Sequence, residues 1–480
     1  MGKKKQIIIL GAGPAGLALA LKLLRRAEPD WDIKIIEQKS YVGGIAASFE
    51  QDGIFFDYGS HRLHPATSEE ILNDLKELLG DDLLNRPRNG RIRLLGKFVK
   101  FPLNPVDLLL HTPPAFVFGF FADMLSKPFQ KKHKPQRSFA DALLDGLGKT
   151  ICNTFYFPYA RKLWGENPED ISVIQAQKRV SANSVLKIIK KVFSVLPGIK
   201  KENTGRFFYP EKGFGQICRA LADKVGRLGG EILLLSSAEE IIMKENRPSV
   251  IKLRKEKNNS VEYIHIDCDF LFSTIPVSVL TRLIKPLPPD VITDACKKLK
   301  YRSMILHYLL FETDQFTPYD AHYIPEDSTI ISRVSEPKNY CAATEPADLT
   351  GICLEIPCNL GDDIWNMTDE SLTQKVLEDL KHLGLPADFP LKTSFSKRLP
   401  FVYPIYDQNF DKQFELIDHY ISQFDGLISL GRQGLFAHDN THHTMEMAYR
   451  ASECLESNLN WKTTKWENHR LEFETHVVED

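Results

Sequence analysis

Cysteine is scarce and without pattern: the eight residues at 152, 218, 268, 296, 341, 353, 358 and 454 include no C-x-x-C pair and no paired zinc-type spacing. That excludes a thiolate zinc ribbon, and scattered thiols point to a reducing, cytoplasmic setting. Charge of one sign is lacking too. Lys+Arg of 61 against Asp+Glu of 63 leaves a net charge of −2, so no general attraction to nucleic acid or to an anionic membrane follows. Internal repeats and low-complexity tracts are missing, and so is any long apolar run. The greasiest stretch, Leu108 to Leu110 and then Pro113 to Phe121, is interrupted by His111 and two prolines and falls short of the ~20 residues a membrane-spanning helix needs. A core helix is expected there. Shallow membrane contact is the second reading, because the cluster Lys131-Lys132-His133-Lys134 follows an aromatic helix as it does in interfacial anchors. No secretory core is expected, since Lys3-Lys4-Lys5 leads straight into Ile7-Ile8-Ile9-Leu10 and a turn.

What is present is an ordinary globular composition. The chain has 480 residues, 43% of them hydrophobic and 26% charged, enough for two or three domains around a large core. Its first turn is the most informative. The strand-like Gln6 to Leu10 runs into Gly11-Ala12-Gly13-Pro14-Ala15-Gly16, a G-x-G-x-x-G turn opening a helix. Gly11 permits the tight turn, Gly13 lets a pyrophosphate approach the backbone, and Gly16 lets helix and strand pack closely. The helix N-terminus offers free N–H groups and a positive dipole to the phosphates. Glu37 ends a second apolar run, Ile33 to Ile36, and lies 21 residues past Gly16, near the roughly 20-residue spacing of a carboxylate that binds a ribose. Strand, glycines, helix and spaced acid together define a dinucleotide-binding unit.

Directly after Glu37 and Gln38 the chain carries Gly43-Gly44, a pair able to bring a second backbone loop against the same pyrophosphate. Here the sequence resembles the flavoprotein superfamily of amine oxidases, protoporphyrinogen oxidase and UDP-galactopyranose mutase. The resemblance implies bound FAD, expected to be non-covalent although Cys454 or His61 could bond the ring as in covalent relatives, and an α/β fold: a Rossmann-like, glutathione reductase-type FAD-binding domain interleaved with a helical domain and a mixed-sheet substrate domain. The chain divides accordingly into FAD-domain parts at 1–100, 206–300 and 401–460, a helical domain at 101–205 with amphipathic stretches at Ser138 to Leu147 and Val185 to Val195, a sheet-based substrate domain at 301–400, and a polar tail at 461–480 expected to fray at its end. Helix-like Gln216 to Leu228 and strand-like Val250 to Arg254 and Val261 to Ile266 read as the returning half of the FAD domain.

The closest motif thread runs to the mutase branch. Asp57-Tyr58-Gly59-Ser60-His61-Arg62-Leu63-His64 is similar to that branch's Y-G-P-H-x-x-H-T loop, which implies a flavin-facing His61. Tyr156, Tyr159 and Trp164 stand in a segment resembling its Y-T-x-K-x-W-G, where substrate aromatics sit; helix packing is the alternative for all three. Tyr301-Arg302-Ser303 resembles Y-R-T/S, and Gly431-Arg432-Gln433-Gly434 resembles the late G-R-x-G, where an arginine nears the flavin. The implied cofactor contacts are Gly11, Gly13, Pro14, Ala15, Gly16, Glu37, Gln38, Gly43, Gly44, Gly59, Ser60, His61, Ala238, Arg432 and Thr441. The implied catalytic set is His61, His438, Arg302 and Arg432.

The departures set the functional expectation. Where the mutases carry R-x-P-x-R, with an arginine for the substrate diphosphate, this chain has Arg179-Val180-Ser181-Ala182-Asn183. Where they carry Y-x-D-M-D, it reads His438-Asp439-Asn440-Thr441-His442. Asn183, His438 and Asn440 are thus expected at the substrate, with His438 as an acid or base near neutral pH. Losing an anion-pairing arginine forfeits about 1.5–3 kcal/mol of charge-assisted bonding unless Arg206 or Lys178 replaces it. His438, Asp439, His442 and His443 crowd together, with His438 and His442 at i, i+4, yet no metal is expected: a helix N-terminus beside a flavin needs polar caps, and the resembled family is metal-free. The expectation is therefore an FAD-dependent oxidoreductase of the amine oxidase and protoporphyrinogen oxidase type. It acts on a partly apolar small molecule, with NAD(P)H or oxygen as redox partner. A mutase-like non-redox flavoenzyme acting on a sugar nucleotide and an inactive FAD-bound scaffold are the alternatives.

Overall fold

The computed structural model describes residues 3–101, 105–126, 137–179, 205–257 and 260–478. The organising layer is a five-stranded, all-parallel sheet. Its centre is β1 (Lys5–Leu10), which pairs with β2 (Trp31–Ile36) on one side and Phe270–Ser273 on the other; Glu231–Leu233 and Leu427–Ser429 form the edges. A parallel strand covered on both faces must be apolar throughout, and β1 is. Ile7 and Ile9 enter one core with the helix α1 (Pro14–Arg25), while Ile8 and Leu10 enter a second core on the opposite face. Its strands come from the first, middle and last thirds of the chain, so this unit is assembled by return visits.

A four-stranded sheet flanks it, built on the antiparallel hairpin Arg247–Lys257 and Ser260–Asp267. Facing the other end stands a seven-stranded mixed sheet. Its long strands Tyr301–Phe311, Thr350–Cys358 and Leu391–Pro404 pair antiparallel, and the helix Asp369–Leu383 packs Leu372, Val376 and Leu380 into their core. A helical layer completes the molecule. The helix Phe139–Leu147 is started by Ser138, whose hydroxyl accepts from the Asp141 N–H at 3.1 Å while Asp141 accepts from the Ser138 N–H at 3.2 Å. The greasy segment is also helical, Pro114–Ser126, with Phe116 in that layer's core, Phe118 and Leu125 exposed. Among the described residues no helix is long and apolar enough to cross a membrane. Lys131 to Lys134 and Val185 to Val195 lie outside the described residues.

One expectation is corrected. Gly90–Leu94 and Lys97–Phe101 belong to the seven-stranded sheet rather than to the first dinucleotide segment, because Ile92, Leu94 and Val99 make a small core with Ala321 and Tyr323. The start of the tail is built into the core. Thr463–Phe473 is a helix that buries Trp466 and Phe473 against the main core, where Trp461 lies over Phe270 and Phe272.

Candidate functional site

The site begins where β1 ends. Gly11 receives a hydrogen-bonded place in the sheet, its N–H donating to the Ile36 carbonyl at 2.9 Å, and the chain turns at once into α1. At Gly16 an added Cβ would lie 2.0 Å from the Gly11 carbonyl oxygen, so only glycine lets the helix sit this close to the strand. Gly13 is the opposite case: a Cβ there would meet nothing within 4 Å, which leaves the open, backbone-lined face that a pyrophosphate requires. Pro14 takes the first helical position, where its missing N–H costs nothing. The second glycine loop docks on the first, with the Gly43 N–H donating to the Ala12 carbonyl at 2.8 Å and Gly44 standing over Gly13. Gly431 closes the third side against Ala15.

Glu37 is buried, and burial pushes its carboxyl up, opposed by N–H groups of Lys39 and Ala12, each donating to one of its oxygens at 2.9 Å. The acid thus clamps the glycine turn itself, and each carboxylate oxygen keeps acceptor capacity for a ribose hydroxyl. Gln38 follows it exposed, and Ala238 lies on the neighbouring strand Ser236–Lys244, whose first N–H donates to the Glu37 carbonyl at 2.9 Å.

The 57–61 loop forms the next wall. Asp57 is buried and accepts from Ser48 Oγ at 2.6 Å, Tyr209 OH at 2.7 Å and the Phe214 N–H at 2.8 Å, which ties this loop to the returning segment. His61 stacks on Phe214 with ring centroids 5.3 Å apart and places Nε2 3.1 Å from the Tyr58 carbonyl; burial holds its pKa below the ordinary histidine value. Gly59 and Ser60 lead to residues the sequence did not single out. The Ser60 N–H donates to Glu355 Oε1 at 2.7 Å, and the same carboxylate takes Arg333 Nε at 3.0 Å and Nη2 at 2.7 and 2.8 Å. Tyr323, Tyr403 and Tyr159 stand in the electrostatic neighbourhood of that guanidinium. No spacing rule points to Arg333 or Glu355. They meet only because Arg333–Ser335 and Thr350–Cys358 pair antiparallel with Arg333 opposite Glu355.

The other expected residues divide. Arg432 approaches the cleft, donating to the Asp439 carbonyl at 2.9 Å and the Val402 carbonyl at 3.0 Å with its guanidinium over Tyr403. His438 is buried behind Tyr403, edge-on to Tyr406 at 4.8 Å. Asn440 and Thr441 start the helix Thr441–Cys454, so Asn440 is spent on capping. Tyr156 and Tyr159 flank Phe155 at the end of a π-helical turn, Cys152–Tyr156, a rare local geometry that often marks functional sites. Trp164 departs from the expected substrate wall: it is 6% exposed and packs edge-on against Phe139 in the helical core. Arg302 departs from the catalytic set. Its Nη1 donates to Asn359 Oδ1 at 2.5 Å and its Nη2 to the Lys162 carbonyl at 3.2 Å, wedged under the Gly165 turn, so it clasps helical layer to sheet. Arg206 and Lys178 are equally committed, to Asn85 and to the tail carbonyls of Phe473 and Glu474. Asn183 lies outside the described residues.

A parallel sheet with a double glycine cradle and a buried acid at the end of its second strand defines a dinucleotide-binding fold of the Rossmann type. The matching family model is that of flavin containing amine oxidoreductases, over residues 14–452, and the chain belongs to that family. Its cofactor is FAD, and the open face over Gly13 with its two flanking loops fits that group. A probable UDP-galactopyranose mutase of Klebsiella pneumoniae is 24% identical over 35% of this chain and 43% of its own length. The lycopene-forming phytoene desaturase of Pseudescherichia vulneris is 26% identical over 79% of this chain and 77% of that protein. Among solved structures, a reduced UDP-galactopyranose mutase superposes with a TM-score of 0.80 at 19% identity, covering 99% of this chain and all of that one.

Proposed function

We propose that this chain is an FAD-dependent oxidoreductase that removes a hydride from a C–H or C–N bond of a partly apolar small molecule. One observation carries the reading: among the described residues, the guanidiniums of Arg333 and Arg432 are already engaged, Arg333 by Glu355 and Arg432 by two carbonyls, among tyrosines. Such walls favour a substrate with little negative charge over a diphosphate, which needs uncommitted cations to repay its desolvation. FAD, when bound, supplies the hydride acceptor at its N5 atom.

The protein's own work is positional. Gly11 to Gly16, Gly43 and Gly44 hold the pyrophosphate end, and Glu37 the ribose. His61, set by Phe214 and the Tyr58 carbonyl, and the Arg333–Glu355 pair fix the polar edge of the cleft, while Tyr159, Tyr323 and Tyr403 orient the apolar body of the substrate. The desaturase likeness, which extends over most of the chain, supports redox chemistry. NAD(P)H or oxygen is the proposed partner that resets the cofactor. The second reading, a mutase-like use of reduced flavin on a sugar nucleotide, draws on the 0.80 TM-score to a mutase. Product analysis separates the two. Flavin reduction by an amine or dihydro compound supports the first, and UDP-galactofuranose formed from UDP-galactopyranose by prereduced protein supports the second. An inactive FAD-bound scaffold does neither.

A further inference from the structure

Behind the cleft, the start of the helix Thr441–Cys454 meets the end of the chain at Asp439, His443 and His476. Asp439 is 3% exposed, and among the described residues neither its Oδ1 nor the buried His476 Nδ1 has a well-aligned hydrogen-bond partner. Oδ1 lies 3.3 Å from His443 Nδ1 and 3.3 Å from His476 Nδ1, and one donor atom from each of the three residues falls within 4.8 Å of the others. The Asn440 N–H also donates to His443 Nδ1 at 3.3 Å, so a cation at this edge replaces that bond. A buried carboxylate flanked by two imidazole nitrogens is a donor set that a cation can share. A tetrahedral ion with ligands at ~2.0–2.1 Å sets those ligands roughly 3.3–3.4 Å apart, the spacing seen here on two edges.

We propose that Asp439, His443 and His476 form a binding site for a zinc-class divalent cation, with water in the fourth position, which fastens the C-terminal segment to the helix start beside the cleft. Two imidazoles and one carboxylate suit zinc and its neighbours, whereas calcium and magnesium demand oxygen donors. The tail is already delivered to the place: Lys178 Nζ donates to the Phe473 and Glu474 carbonyls at 3.3 and 2.7 Å, and the Val478 N–H donates to the Lys178 carbonyl at 2.9 Å, bracketing His476. The rings of His443 and His476 are stacked at 4.2 Å and 12°, so loading turns them until their lone pairs converge. The sequence hid this site because His476 lies 33 residues beyond His443, in a tail with no motif.

The test uses the full FAD-loaded chain, equilibrated with Zn²⁺, desalted, and measured by elemental mass spectrometry and chelator competition. About one zinc per chain is expected, with affinity at least tenfold weaker in His476→Ala and Asp439→Asn and unchanged in His469→Ala, a control in the same tail. Thermal melting of the wild type is the second measurement, with the midpoint raised by Zn²⁺ and unmoved by Mg²⁺. Wild-type protein that retains no zinc and melts identically with and without it overturns the proposal, leaving Asp439 to share a proton with its neighbours. Undiminished zinc affinity in a folded His476→Ala overturns it too.

Discussion

At the scale of single residues, Glu37 was legible and Arg333 was not, for the same physical reason. Glu37 is tied to the glycine turn by a chain spacing, and spacing is what a sequence displays. Its role predicts that Glu37→Ala loosens FAD by about 1.5–3 kcal/mol, roughly ten- to a hundredfold, with the fold restored in excess cofactor. Equilibrium dialysis measures this, and unchanged affinity would make the acid purely structural. Arg333 acquires its partner by strand pairing over a separation no motif records. Glu355 is buried, so Arg333→Met leaves an uncompensated carboxylate and costs about 3–5 kcal/mol, read as a lowered urea midpoint. Trp164 shows the converse failure: its motif was clear, but burial against Phe139 decided its place. The candidate site was thus readable where one loop builds it and opaque where distant strands do.

At the scale of elements, periodicity served well. Gln216–Arg227 forms as a helix within one residue of the expected bounds, and the strand runs Val250 to Arg254 and Val261 to Ile266 are found with wider limits, Arg247–Lys257 and Ser260–Asp267. The seven-stranded sheet carries a pH signature of its own. His307 is fully buried between Ser396 Oγ at 2.8 Å and Thr373 Oγ1 at 3.0 Å, and burial pushes its pKa down to about 4; His322 is held at about 4 in the same way. Both stay neutral in the fold, whereas the unfolded chain takes up protons below about pH 6.5. The unfolded state therefore binds more protons between about pH 6.5 and 4, and stability falls as pH drops through that window, by up to about 3 kcal/mol per histidine. Melting curves at pH 7 and pH 4.5 should show the loss, and His307→Asn should reduce it. An identical pH slope in the variant would contradict the assignment.

At the scale of the whole molecule, the interleaving was readable from the order of motifs, but the closure was not. The Gly90–Phe101 strands cross to the substrate sheet, and the polar-looking tail hides Trp466 and Phe473 on one side of its helix. Two large side chains among the eight polar or charged residues of Thr463–Phe473 give too weak a periodic signal to be seen, yet they decide packing. Phe473→Ala should cost about 3–5 kcal/mol as a cavity mutation, measured as a drop in thermal midpoint, and an unchanged midpoint would mean the tail is not part of the core. The central claim concerns what the assembled cleft does to its cofactor. Anaerobic mixing of the FAD-loaded protein with a panel of partly apolar amines and dihydro compounds, followed by flavin absorbance, tests it most directly. The account predicts that at least one compound bleaches the oxidised flavin at an enzyme-like rate; a flavin that stays oxidised throughout, in a protein that converts UDP-galactopyranose once reduced with dithionite, would contradict it.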